Sequence, residues 1–209
     1  MKKSIVLLIS LLFITAISAL ILKNLDDTEI YVNEQNNKIN KTQSLALVKN
    51  LQTQISSLIS KNKEEVQNVV ESKFLDYYPL KIDNIDMLFK LEVYDKINLN
   101  GLNGEKKIKE ETISRLNDLE IYNIDNLSYL LKGNKINSYK QLDNILNNFS
   151  KETYDEKILE VKEDLGFLDT NSGQLYELFI KSKFLKDFIN AYYILDKEGK
   201  VKYFELSFK

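Results

Sequence analysis

Cysteine and histidine are both absent from the 209 residues. Without cysteine the chain has no disulfide, no thiolate metal ligand and no thiol nucleophile. Without histidine it lacks the usual general base near neutral pH and the commonest metal ligand. Tryptophan is missing too, and there is one proline, Pro79, and one arginine, Arg115. A single arginine leaves bidentate clamps on phosphate or carboxylate scarce. Neither sign of charge dominates: 29 Lys+Arg stand against 31 Asp+Glu. That balance argues against a nucleic-acid binder, whose basic face must displace counterions from phosphates. No glycine-rich phosphate loop, His-Glu pair or nucleophile motif occurs. These absences together lead us to expect no enzyme and no catalytic residue.

What the chain has is a long uncharged start. Lys2 and Lys3 form a short basic head, and Ile5 to Leu22 runs without a charge, with only Ser10, Thr15 and Ser18 polar. About 20 helical residues cross a ~30 Å hydrocarbon core, so this run just spans. The rival is a cleaved secretory signal, whose apolar core is about 7–15 residues long and precedes a small-x-small site. Here the best such site, at Ala16 to Ser18, lies inside the run, so a retained anchor is the preferred reading. Lysine is concentrated on the short N-terminal side, while Asp26, Asp27 and Glu29 follow the run. The N-terminus is therefore expected in the cytoplasm and the remainder in the periplasm, a single-pass inner-membrane topology.

Glycine and proline are absent from Ile5 to Phe74, which permits a helix to leave the bilayer unbroken. From Leu45 the apolar positions Val48, Leu51, Ile55, Leu58, Ile59, Val66, Val69 and Val70 step by three and four, one face of a helix. Opposite lie Lys49, Asn50, Gln54, Lys61, Lys63 and Glu64. Asn33, Asn36, Asn37 and Asn40 weaken the helix above the membrane and leave a break open there.

Beyond Pro79, Met87 to Tyr94 predicts a strand, with Phe89, Leu91 and Val93 inward. Lys96 to Gly104 reads as a turn-rich loop. From about 105 to 183 the spacing predicts short helices, including one through Leu175, Leu178, Phe179 and Leu185. Phe188 to Leu195 and Val201 to Phe208 predict two strands joined by a hairpin turn at Asp196 to Lys200. In the second strand the face of Lys202, Phe204, Leu206 and Phe208 is expected to be buried. Helices and strands segregate, so the fold class is α+β with an antiparallel sheet. The expected organisation is a head and stem over 1–22, helix continuation and first strand over 23–97, an inserted helical block over 98–183, and a C-terminal hairpin over 184–209.

Carboxylates cluster at Glu110/Glu111, Asp155/Glu156 and Glu160/Glu163/Asp164, and read as solvated helix faces. Asp169 to Gly173 hints at a calcium loop but fails the EF-hand spacing, so it reads as a helix-ending turn. No cofactor is assigned; calcium on scattered Asp and Asn oxygens stays open. Tyr77, Tyr78, Tyr192, Tyr193 and Tyr203 read as packing residues in preference to a ligand cleft.

A basic head, an apolar helix starting at once and a long helix entering an exported α+β domain resemble the type IV pilin and pseudopilin architecture. More narrowly, the chain resembles the K-type minor pseudopilin of the type II (general) secretion system. Ser4-Ile5 sits where prepilin peptidase would cut, with serine in place of the usual glycine. Five residues into that mature chain stands Ile9, where most pilins have glutamate and the K type lacks it. Gln43 to Val48 resembles the helix turn after the family's stem. Lys96, Ile97, Asn98, Leu99 and Asn100 resemble the loop that precedes the family's inserted helical domain, and Gly133 to Leu142 weakly resembles a later part of it. The family's Asp-Trp-Ile-Asp and Gly-Ala-Glu segments are missing, so its calcium ligands do not carry over. The resemblance implies a pilin-like fold, a structural role at a pseudopilus tip, and I- and J-type minor pseudopilins and an inner-membrane secretion platform as partners. The alternative is a single-pass anchored periplasmic domain that binds a ligand or partner without polymerising.

Overall fold

The computed structural model describes residues 2–62, 66, 70, 77–82, 85–170, 173–184 and 187–208; the side chains of 2–13, 16 and 187 fall outside the description. Helix α1 spans Lys2–Lys61, 60 residues. At 1.5 Å per residue that is roughly 90 Å of unbroken helix. The asparagines at 33–40 do not interrupt it, because on an exposed helix surface their side chains turn to water instead of competing for the backbone. Among the described residues no helix is long and apolar enough to cross a membrane. The expected spanning run, 5–22, has its side chains at 5–13 and 16 outside those residues.

The sheet has five antiparallel strands in the order β1-β2-β5-β6-β7: Tyr78–Ile82, Ile85–Val93, Leu175–Phe184, Asp187–Asp196 and Val201–Phe208. Only the last part of α1 lies on it. Val48, Leu51, Ile55 and Ile59 are buried against Met87, Leu91, Leu178, Ile180, Ile189 and Leu195. Each such aliphatic side chain contributes about 1.5–3 kcal/mol, enough to fix the helix on the sheet. The predicted polar face at Lys49, Asn50, Gln54 and Lys61 is exposed; Lys63, Glu64 and Val69 lie outside the described residues.

Between β2 and β5 the chain builds a helical block. It comprises a two-residue strand β3 (Ile97–Asn98), a 3-10 turn (Leu99–Asn103), helices α2 (Lys106–Asp118), α3 (Ile124–Leu131), α4 (Tyr139–Thr153) and α5 (Lys157–Glu160), a second 3-10 turn (Lys162–Asp164) and β4 (Leu165–Gly166), which pairs parallel with β3. The block has a core of its own around Leu116, Leu127, Leu142, Leu146, Phe149 and Ile158. The architecture is thus α+β: a long N-terminal helix packed on a small antiparallel sheet, with the helices inserted between two of its strands.

Three local expectations are corrected. The segment through Leu175, Leu178 and Phe179 is strand β5, not helix. β5 is central and largely buried on both sides, so its apolar residues do not alternate cleanly and mimic a 3,4 spacing; Leu185 lies outside the described residues. On β2 the inward positions are Ile85, Met87 and Leu91, while Val93 is 39% exposed. On β7 the face expected to be buried is open: Phe204 is 59% and Phe208 53% exposed. β7 is an edge strand, and α1 covers only part of that face.

The hairpin turn shows why glycine is needed. Asp196 Oδ1 accepts hydrogen bonds from the backbone N–H groups of Glu198 and Lys200, both at 2.9 Å. Gly199 closes the turn at φ 76°, and a Cβ there would meet the Ser56 carbonyl oxygen at 2.1 Å. Gly133 also has positive φ, 80°, but faces open space. Gly133→Ala is expected to cost about 1 kcal/mol, the left-handed penalty alone. Gly199→Ala adds a clash with helix backbone and is expected to cost about 2–4 kcal/mol, lowering the melting temperature by roughly 5–10 °C. Thermal melts of the two full-length variants side by side test this; equal shifts would show that the turn does not bear on α1.

Candidate functional site

The loop Lys96 to Asn100 enters the helical block, and each residue in it has a fixed task. Ile97 and Leu99 are buried in the block's core. Asn98 caps the following 3-10 turn, its Oδ1 accepting from the Asn100 N–H at 3.0 Å. Asn100 donates through Nδ2 to the carbonyls of Ile136 (2.9 Å) and Phe167 (2.8 Å), and its Oδ1 accepts from the Ile136 N–H at 2.8 Å. One amide thus pairs with two segments lying 36 and 67 residues further on. Asn103 continues the pattern, donating to the Leu131 carbonyl at the end of α3 (2.8 Å). A primary amide, with two donors and one acceptor, fits these non-repetitive backbone groups where a strand could not.

Lys96 points the other way, to the seam between block and sheet. Its Nζ lies 3.3 Å from Glu177 Oε1 and 5.5 Å from the Tyr139 ring centre. Glu177 is on β5, where the block covers the sheet, and is only 6% exposed. Tyr192 donates to the same carboxylate, and the Tyr192 and Tyr139 hydroxyls are 2.9 Å apart. Tyr139, Phe167, Tyr192 and Tyr203 pack edge to face with centres 5.1–6.3 Å apart. Tyr94 closes the seam from β2's end: its hydroxyl accepts from the N–H groups of Phe167 (3.3 Å) and Leu168 (3.4 Å). Gly166 is required beside it, since a Cβ there would sit 2.0 Å from the Tyr94 hydroxyl.

Burial pushes the phenols of Tyr94, Tyr139 and Tyr192 up from their usual 10.0, and nearby Glu177 adds to the effect. They are neutral hydrogen-bonding groups at physiological pH. Beside the seam opens a cleft of about 870 Å³, lined by Asn98, Asn103, Asn134, Asn137, Lys202 and Tyr203 among others. It brings together amides, lysines and one carboxylate, Asp169, but no nucleophile with a base. The acidic clusters of the helical block are not drawn together: among the described residues no group of three or more carboxylates could hold a metal. The turn before β5 is not helix-ending. It follows β4, Gly173 N–H donating to the Thr170 carbonyl at 3.1 Å, while Asn171 and Ser172 lie outside the described residues.

Of the five tyrosines singled out, Tyr192 and Tyr203 join the seam, Tyr193 packs in the α1–sheet core, Tyr78 stacks on Phe89 at 5.3 Å and Tyr77 lies beneath Lys181. Glu177, Tyr94 and Tyr139 escape sequence reasoning because nothing local marks them; their partners are 15 to 81 residues away. Ser4, Ile5 and Ile9 fall in the first turns of α1, and their side chains lie outside the described residues. Further along α1, Ile14, Ile21, Leu25, Val32 and Ile39 are about half exposed or more and touch nothing in the sheet.

No family model, no curated protein and no solved structure matches this chain.

Two outcomes are expected at the seam. Asn100→Ala strands partly buried backbone groups of Ile136 and Phe167 and is expected to cost about 2–4 kcal/mol. Amide exchange should then rise first around residues 131–137, and an unchanged pattern would deny Asn100 its bridging role. The raised phenols bind their protons more tightly folded than unfolded. Their contribution is complete below about pH 10, the unfolded value, and is lost as pH rises above it. Absorbance at 295 nm should therefore show a late tyrosine fraction that ionises only together with loss of the circular-dichroism signal.

Proposed function

We propose that the protein is a structural subunit held in the inner membrane by its N-terminal stem, a minor pseudopilin of the K type acting at the tip of a type II secretion pseudopilus, where it assists protein export across the outer membrane. The observation that carries this reading is the division of α1. From Ser44 onward it is buried on its own sheet, but from Ile14 to Ile39 it stands clear of the sheet with Leu20, Leu22, Leu25, Ile30 and Val32 exposed. A helix with apolar residues and no intramolecular partner calls for lipid or other helices around it. The helical block inserted after the Asn-Leu-Asn loop supports the K type in particular. So does Ile9: a buried glutamate among packed stems needs a positive partner, and a subunit with nothing stacked above it has less need of one. Partners on this reading are the I- and J-type minor pseudopilins and the inner-membrane platform.

The 870 Å³ cleft beside the seam favours one second reading, an anchored periplasmic domain that binds a ligand or partner and does not polymerise. Intact mass of the mature protein, from cells with and without prepilin peptidase, separates the two. A chain beginning at Ile5 only when the peptidase is present is the expected result. A chain that still begins at Met1 in both would remove the pseudopilin reading and leave the plain anchor.

A further inference from the structure

The two edges of the sheet are built differently. β1 is five residues long and carries Pro79 and Lys81, both of which discourage a further strand from adding. β7 is eight residues long and has no proline; its one lysine, Lys202, is at the hairpin end and pairs with Asp196 at 3.1 Å, and its one carboxylate is Glu205. Among the described residues it pairs with β6 alone. Among the described residues its one irregularity is the shift opposite Ile194/Leu195, at its very start. Beside this edge, between β7 and α1, runs an apolar groove of about 430 Å³ formed by Leu45, Val48, Tyr193, Phe204 and Leu206, with Lys49 as its one charged lining residue. Phe204 and Phe208, at alternate positions on that face, are both more than half exposed. An open ladder flanked by side-chain pockets on one face is the arrangement that accepts an extended peptide: main-chain bonds hold it and the pockets read alternate residues.

We propose that β7 accepts an extended strand of another subunit, added antiparallel, with apolar side chains seated on Phe204, Leu206 and Phe208 and a carboxylate meeting Lys49. Direction excludes β7 of a second copy as that antiparallel strand. α1 runs along the hairpin, from Leu45 beside Leu206 to Ser56 against Gly199. Two β7 strands paired antiparallel about a two-fold axis would therefore send their stems in opposite directions, and two copies anchored in one membrane cannot do that. This step rests on the anchored reading given above; strand acceptance itself does not.

The chain has no cysteine, so single-cysteine variants report cleanly. Full-length Phe204→Cys, Phe208→Cys and, as a control, Tyr129→Cys (75% exposed on the helical block) are labelled with a maleimide in cell-envelope membranes and after purification in detergent. Labelling at 204 and 208 is expected to be at least tenfold slower in the envelope and unchanged at 129. Backbone amides of 203–208 are expected to exchange more slowly there as well. Equal labelling in both settings overturns the proposal. So does side-chain protection without amide protection, which means no strand has added. Protection that persists in protein-free phospholipid vesicles assigns the face to lipid, and a disulfide-linked dimer of Phe204→Cys assigns it to a second copy; either overturns the proposed occupant. The N-terminus of the mature chain, read in the same samples, shows separately whether the pseudopilin reading stands.

Discussion

The contact between the last part of α1 and the sheet is the constraint on which the rest depends. Val48, Leu51, Ile55 and Ile59 fix the rotation of the helix about its own axis as well as its position. Because a helix of this length is stiff, fixing one end aims the other. The α1 residues from Ile14 to Ile39 therefore project in a direction set by packing tens of ångströms away, and the same contact decides which edge of the sheet lies beside the helix. The hairpin turn is locked into this arrangement through Gly199, whose missing Cβ lets it touch the Ser56 carbonyl. Loss of the contact would free the N-terminal part of α1, the groove and the turn together.

The helical block is joined to this frame by different chemistry. Its own core is aliphatic, but the seam is aromatic and polar: Tyr94, Tyr139, Phe167, Tyr192 and Tyr203 around a Lys96–Glu177 pair. A nearly buried carboxylate is costly unless fully partnered, and a pair of this kind seldom adds net stability over an apolar contact of the same volume. Its value lies in orientation. An aliphatic seam of similar area would tolerate sliding, whereas the hydroxyl and carboxylate contacts hold in one register only. The Asn100 amide does the same inside the block, tying the segment before α4 to the segment after β4. With no histidine and no cysteine, no side chain has its ordinary titration between pH 5 and 8.

What could be read from the sequence follows from where each element's determinants lie. The continuation of α1, strand β2 and the β6–β7 hairpin were legible because their apolar period is local and their turn residues are specific. The α+β class and the placing of helices between strands followed from that order. β5 was not legible: a central strand buried on both faces loses its alternation, and Leu175, Leu178 and Phe179 then match a helical period by chance. The openness of β7 was not legible either. Alternation shows which residues share a face, but whether another element covers that face is decided by sheet order. The Lys96 to Asn100 loop stands out in the sequence by a resemblance alone, yet its physical role as a set of amide staples depends on carbonyls that only the fold brings near. Glu177 sits in an ordinary strand context and is made exceptional by its ion-pair partner Lys96, 81 residues away in sequence.

The sheet is consequently polarised, and this bears on assembly whatever the partners are. One edge is short and carries a proline; the other is longer and open, with aromatic residues beside a groove formed with α1 itself. Since Leu45 and Val48 belong both to that groove and to the helix that leads to the stem, a strand seated there would touch the same helix that sets the molecule's direction. Binding at the edge and orientation of the stem are then mechanically one problem: an occupant favouring a different angle of α1 would have to work against the Val48 to Ile59 packing, and one favouring the existing angle would be helped by it. A binding free energy linked in this way selects occupants by geometry, not only by sequence. That suits a subunit whose place in an assembly is proposed to be unique better than it suits a freely exchanging binding domain.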